Sequence, residues 1–321
     1  MKQRMRRIAA VAAAVLIMGS LSACSFGENE AQANYKQAGM DAIAAGDYAG
    51  AIEQFDAALG ESHATVGVEE IDISYYKAAA QYMAGDVDGA IATYTNLVEY
   101  DKKSYEPLFL RGSLYLDTNQ PEPALEDYRA AVKLDPENFE LYTAIYYNLM
   151  AKGYPDDALE YTNMALAIEG NKAYHYMERG KIYLILEQYD VAETTFKKAV
   201  NAGDSDGYIY LAQIASHNGD SEAAMKYLQK FTKSGEESSE AYDTIGKLYM
   251  AEGKYPEALE QFEKGLGLKH ITNEKELRKD QIAALEYSND FATAREKAQE
   301  YVEKYPEDVT VARELVFLQT R

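Results

Sequence analysis

The sequence predicts an all-α chain, a solenoid of about eight helical hairpins stacked in order and closed at the far end by one lone helix. Three observations predict it. A short turn followed by an alanine, and usually an aromatic four residues later, recurs along the chain, with Ala90, Ala124, Ala158 and Ala192 spaced by 34 residues each time, as are Ala224 and Ala258. Between the turns, apolar residues fall at helical spacing. No Ser-, Pro- or Gly-rich linker divides the chain after residue 33, and only 7 of 321 residues are Pro.

The first segment, residues 1–23, reads as an export signal. Lys2, Arg4, Arg6 and Arg7 make a positive head without an acid, and Ile8 to Met18 form an apolar run. Small residues follow, as at a signal cleavage site. The run is roughly ten residues, short of the ~20 that a spanning helix needs. It ends in Leu21-Ser22-Ala23-Cys24, which holds the one cysteine of the chain, so an intramolecular disulfide is excluded. This tetrapeptide resembles the lipobox of bacterial lipoproteins. The resemblance implies lipidation at the Cys24 sulfur, cleavage before Cys24 and acylation of the new amino terminus, with 24–33 as a polar tether. Two or more acyl chains anchor stably, whereas a single one binds marginally at ~0.8 kcal/mol per buried CH₂. The expectation is an extracytoplasmic protein held at a membrane surface without spanning it.

Residues 34–308 carry the repeats. The turns are Gly46-Asp47-Tyr48, Gly85-Asp86-Val87, Asn119-Gln120-Pro121, Gly153-Tyr154-Pro155, Glu187-Gln188-Tyr189, Gly219-Asp220, Gly253-Lys254-Tyr255 and Asn289-Asp290-Phe291. Their alanines are Ala51, Ala90, Ala124, Ala158, Ala192, Ala224, Ala258 and Ala294. Upstream of five of the turns an aromatic or Leu leads a small residue: Tyr35 with Gly39, Leu108 with Gly112, Tyr176 with Gly180, Tyr208 with Ala212 and Tyr242 with Gly246. A glycine inside a helix costs ~1 kcal/mol, a cost that close approach of the paired helix would justify. Asp135-Pro136 and Tyr305-Pro306 mark ends of second helices, because Pro disfavours helix at its predecessor. One hairpin cannot bury its apolar face alone, so neighbours must stack. Residues 309–321 are expected to cap the array, with Val311, Leu315 and Leu318 on the buried face.

This pattern resembles the tetratricopeptide repeat over residues of about 32 to 308. Tyr stands where the family has Trp, Tyr146 stands where a small residue is usual, and the last unit is weak outside Asp290-Phe291 and Pro306. The resemblance implies a right-handed α-α superhelix whose first helices line a concave groove. It brings Tyr75, Tyr82, Phe109, Leu116, Tyr147, Met150, Tyr174, Met177 and Leu184 toward that groove, with Lys181, Gln213, Asp243 and Lys247 in the C-terminal half. An aromatic and Met-bearing strip suits a bound peptide or helix, and packing between units is the competing role, with Tyr82 and Leu116 expected to be the most core-like. The Lys-and-Asn carboxylate clamp of chaperone-binding relatives is not reproduced around Lys36 and Met40.

Charge bounds the partners. The chain carries 32 Lys and Arg against 53 Asp and Glu, a net −21. Without its first four basic residues, 28 remain against 53 acids, a net −25. Such a balance argues against nucleic acid and against a polybasic lipid surface. It leaves a cationic peptide or solute as an alternative ligand for an acidic groove. Asp72, Glu106, Glu140, Asp206 and Glu240 open first helices; they read either as an acidic rail or as carboxylates favoured by the helix dipole, worth ~0.3–1 kcal/mol each. Arg111 and Arg179 precede glycines in apolar helices and read as snorkelling side chains or anion contacts. His63, His175, His217 and His270 are scattered, and no zinc, phosphate-loop or nucleophile-elbow motif appears. No enzymatic activity, metal or cofactor is expected. The functional expectation is a tethered scaffold for protein or peptide partners.

Overall fold

The computed structural model describes residues 30–61, 66–306 and 308–320. Among these, every regular element is a helix: α1 (Glu30–Ala44), α2 (Tyr48–Gly60), α3 (Val68–Ala84), α4 (Val87–Tyr100), α5 (Glu106–Asp117), α6 (Pro121–Leu134), α7 (Phe139–Lys152), α8 (Pro155–Leu166), α9 (Ala173–Ile185), α10 (Tyr189–Asn201), α11 (Gly207–His217), α12 (Ser221–Lys233), α13 (Ser239–Ala251), α14 (Tyr255–Leu266), α15 (Glu274–Tyr287), α16 (Phe291–Lys304) and α17 (Val309–Leu318). They fall into two compact units, one ending at Ile168 and one opening at Glu169. The first holds hairpins α1–α2, α3–α4, α5–α6 and α7–α8; the second holds α9–α10, α11–α12, α13–α14 and α15–α16, followed by α17. Helix α1 opens at Glu30, so the last residues of the 24–33 stretch are helical. Cys24 and His63 lie outside the described residues.

Each hairpin turn is made the same way. Its first residue adopts positive φ: Gly46, Gly85, Gly153, Gly219 and Gly253 in five turns, and Asn119, Glu187 and Asn289 in the other three. The amide of that residue and the next one bond back into the first helix, as in Gly46 N to Ile43 O and Asp47 N to Ala42 O, both at 2.9 Å. This left-handed cap satisfies carbonyls that a helix end leaves unpaired. The second helix then starts at once, capped by a carboxylate where one is available: Asp47 accepts from Gly50 N at 3.0 Å, Asp86 from Gly89 N at 3.0 Å and Asp220 from Ala223 N at 2.9 Å. Pro121 and Pro155 serve the same start by fixing φ where no amide partner is needed.

The eight turn-following alanines, from Ala51 to Ala294, are all 0 % exposed, so each is enclosed where its hairpin packs. Four residues further, the second helix places a side chain against the first helix sixteen residues upstream. A large side chain there faces a small one: Phe55 against Gly39, Tyr128 against Gly112, Phe196 against Gly180 and Phe262 against Gly246. Tyr94 with Ala78, and Leu228 with Ala212, follow the same rule. Two hairpins reverse it. In α15–α16 the large residue is Ile282 on the first helix and the small one Ala298 on the second. In α7–α8 the corresponding positions hold Tyr146 and Thr162, both buried. Opposite the aberrant Tyr146 the second helix thus carries a residue smaller than the Phe or Tyr that other hairpins place there.

Helix α17 buries Val311, Leu315 and Leu318 against Ile282, Leu285 and Tyr301. No helix among the described residues is long and apolar enough to cross a membrane.

Candidate functional site

The first helices α1, α3, α5 and α7 in one unit, and α9, α11, α13 and α15 in the other, carry the candidate contact residues. Their stacking is held by polar links between side chains about one repeat apart. Lys36 of α1 reaches Asp72 at 2.6 Å and Glu69 at 2.9 Å on α3. Asp117 of α5 accepts from Tyr82 of α3 and pairs with Lys152 of α7. Asn148 of α7 donates to Ser113 of α5 at 2.9 Å. In the second unit Lys247 of α13 sits between its own helix's Asp243, at 2.6 Å, and Asp280 of α15, at 3.2 Å.

Repeats in tandem, each with a left-handed turn, an interlocked Ala and a small–large pair, decide the family, and tetratricopeptide repeat models match residues 36–107, 105–138, 175–202, 205–234 and 239–269. The chain belongs to the tetratricopeptide repeat family. Its similar proteins include human protein O-mannosyl-transferase TMTC1, 24% identical over 235 residues that make 71% of this chain and 24% of that protein. Bovine BBSome complex member BBS4 is 24% identical over 212 residues, 54% of this chain and 41% of that protein. The chain therefore spans less than half the length of either. A crystal structure of a tetratricopeptide repeat protein from Parabacteroides merdae is 19% identical and covers 80% of this chain and 100% of that one, with a TM-score of 0.49. Tetratricopeptide repeats make the chain a protein-interaction scaffold.

Within this tetratricopeptide frame the candidate residues divide by burial. Tyr147 is 55% exposed and Met150 43%, one turn apart on α7, and Tyr174 on α9 is 51% exposed. Tyr147 rests edge-on against buried Tyr146, with ring centroids 5.3 Å apart, so its ring is propped outward. Phe109 is half-buried against Tyr128, 5.9 Å between centroids. Two candidates are corrected from groove to core. Tyr75 packs with Tyr94, Leu97 and Leu114, and Met177 with Phe196 and Leu211, because each lies on the side of its first helix that faces the following hairpin. Leu116 is buried, as expected of a core-like position, whereas Tyr82 is half-buried and spends its hydroxyl on Asp117.

The polar candidates of the second unit are engaged with its own side chains, Gln213 being the exposed exception. Lys181 pairs with Glu178 at 2.7 Å and lies over the Tyr210 ring at 6.0 Å. Burial pulls its ammonium down, but the Glu178 hydrogen bond and the surrounding acids more than offset this and raise it. Asp243 is 7% exposed, a wall residue rather than an open groove residue. Burial pushes its carboxyl up to about 6, with Asp280 adding and Lys247 opposing.

The acidic row is partly spent as well. Asp72 holds Lys36, Glu106 accepts from Ser104, and Glu240 accepts from Ser238 at 2.6 Å. Asp206 is raised by burial and by Asp204, Glu236 and Glu240. The two arginines do not snorkel freely. Arg111 forms a two-pronged pair with Asp127, Nε to Oδ2 at 2.8 Å and Nη2 to Oδ1 at 2.7 Å, and donates from Nη1 to Thr95 at 3.0 Å. Arg179 donates to the Gly170 carbonyl and lies over Tyr176 at 5.5 Å.

Sequence reasoning missed Asp117, Lys152, Asp280 and the exposed Leu159 and Met164 of α8. The signal for the first three was present: Tyr82, Asp117 and Lys152 are spaced by 35 residues, and Lys247 and Asp280 by 33, each about one repeat.

Proposed function

We propose that this tetratricopeptide protein is a membrane-tethered, non-catalytic scaffold of a bacterial cell envelope, holding partner proteins or peptides on the open faces of its first helices. The observation that carries the reading is α7, which presents Tyr147 and Met150 to solvent while Phe139, Leu141, Ile145 and Leu149 fill the core behind them. An aromatic and a flexible thioether on a rigid, fully packed helix form an anchor at low ordering cost. The tether rests on Leu21-Ser22-Ala23-Cys24 behind a basic and apolar head. The O-mannosyl transfer named for TMTC1 is not carried over, because the shared region is a quarter of that protein.

Full-length protein released from membranes in detergent should retain a defined partner at high salt. The pair Tyr147→Ala and Met150→Ala should lose that partner while keeping helical content and thermal stability; retention of the partner by this variant would remove the reading. Metabolic labelling with a palmitate analogue should mark the native chain and not Cys24→Ala, and equal membrane association of the two would refute the anchor. The alternative, capture of a cationic peptide or solute near Asp204, Asp206, Glu236 and Glu240, requires binding that falls steeply with salt and survives the α7 substitutions.

A further inference from the structure

Helix α17 repeats the register of a first helix, and its outer side carries the positions that meet a second helix elsewhere in the chain. Val316 lies eight residues past its cap Asp308, as Gly246 lies past Ser238 and Tyr146 past Asn138. In the hairpins this position faces the paired second helix. The residues one before and three after it do the same: Arg111 of α5 holds Asp127 of α6 at 2.7 Å, and Gln81 of α3 accepts from Thr93 of α4 at 2.7 Å. On α17 these three positions are Leu315, Val316 and Gln319. Leu315 is mostly in the core, Val316 is 63% exposed, and Gln319 is exposed. Beside them runs a groove of about 530 Å³, walled by Thr293, Arg295, Glu296 and Gln299 of α16 and by Leu315 and Gln319 of α17.

The helix is apolar on two sides. Val311, Leu315 and Leu318 are buried, while Val309 at 53%, Val316 at 63% and Phe317 at 44% form a second, exposed stripe at i, i+7 and i+8, with Arg313 at i+4. Apolar residues all round a helix belong to one covered on both sides. Size and charge say what covers it. The other first helices with a bulky residue here, at Tyr146 and Ile282, are answered by the small Thr162 and Ala298, so Val316 requires a small residue opposite. Arg295 on the groove wall and Arg313 on the stripe have no acidic partner among the described residues, whereas Lys297 pairs with Glu300 and Lys304 with Glu274. Glu296 is the acid on that wall, which leaves a local cationic surplus on a chain of net −21. A second copy of α17 would bring another bulky Val316 and another Arg313 to the same face; an acidic helix with a small facing residue complements both.

We propose that the groove between α16 and α17, with Val316 at its edge, takes an acidic amphipathic helix of a partner protein, docked as a second helix supplied in trans. The occupant has the 12 to 14 residues of the chain's own second helices. It sets a small residue against Val316, apolar residues against Leu315 and Phe317, and carboxylates toward Arg295 and Arg313. Docking there extends the row of hairpins by the same contacts that build each upstream one, since a first helix cannot bury its apolar surface alone. The site shares no residue with the exposed face of α7 and does not depend on it.

Helix α8 has the required chemistry, with Asp156, Asp157 and Glu160, no basic residue, and Thr162 in the facing position. A fluorescent peptide of residues 155–166, stapled because so short a helix is marginal alone, is therefore the probe. Titrated with the full-length protein and followed by anisotropy, it should bind saturably. The same peptide with Asp156→Lys, Asp157→Lys and Glu160→Lys should bind about tenfold more weakly, as loss of two or three exposed ion pairs allows. Peptide Thr162→Phe, which sets a large side chain against Val316, and protein Val316→Asp should each weaken binding by about tenfold or more. Val191→Asp, on the exposed side of α10, should leave it unchanged, and both protein variants should keep native helical content. Absence of saturable binding into the millimolar range, equal binding of the acidic and lysine peptides, or native-like binding by Val316→Asp would overturn the proposal. So would a dimer of the full-length protein, seen by analytical ultracentrifugation, that Val316→Asp dissolves, because the face would then belong to a second copy.

Discussion

Replacing Gly180 by alanine sets two physical expectations against each other. Helix propensity alone says that alanine inside α9 should stabilise, by ~0.5–1 kcal/mol. The structure gives the opposite sign. A Cβ at Gly180 would lie 2.5 Å from Cε1, and 2.8 Å from both Cδ1 and Cζ, of the Phe196 ring. Phe196 is 0 % exposed and cannot swing into solvent. Relief requires the ring or the α9–α10 spacing to move, and such overpacking costs ~1–3 kcal/mol, so the net change should be a destabilisation of about 0.5–2 kcal/mol. Chemical denaturation followed by far-ultraviolet circular dichroism measures it. The control is Phe196→Leu, which opens space beneath position 180: in that background Gly180→Ala should become neutral or stabilising. If Gly180→Ala alone is as stable as the native chain, or the two substitutions add without coupling, the interlocked contact is not what holds the hairpin together.

Two further stability predictions follow from the same geometry. Glu187 holds φ +56° at a turn where five of the other seven equivalents are Gly, so Glu187→Gly should stabilise by about 0.5–1 kcal/mol in thermal or denaturant unfolding, since the left-handed region costs a residue with a Cβ ~1–2 kcal/mol and glycine's extra freedom in the unfolded chain returns part of that. Asp127→Ala leaves the Arg111 guanidinium half-enclosed without its two-pronged partner and should destabilise by about 3 kcal/mol in the same assay. Joint replacement of Arg111 by Met and Asp127 by Leu should recover most of that loss.

The hairpins were legible because their determinants are local and repeated. A positive-φ turn, the alanine behind it and the helical spacing of apolar residues recur in one order, and α17 could be read from Val311, Leu315 and Leu318 by the same periodicity. Which side of a first helix faces its neighbour was harder. Tyr75 and Met177 share their apolar character with Tyr147 and Met150, yet the first pair lies in the core and the second in solvent. The difference depends on the azimuth of each helix against the next hairpin, a tertiary property that a 3.6-residue period does not encode. Arg111 was misread for a related reason. Its partner Asp127 sits sixteen residues away on the second helix, at the same offset that pairs Gly112 with Tyr128. Read along that offset, Tyr146 would also have met the smaller Thr162.

The most direct test of the scaffold is where partners touch it. A photo-crosslinking amino acid placed at position 147 of the full-length protein should give one dominant protein adduct, and the same group at Val191, exposed on the second helix α10 at 44%, should give little. Adducts of equal yield and identity from both positions, or none from position 147 in cells that need the protein, would contradict the claim that the open face of the first helices is the contact surface.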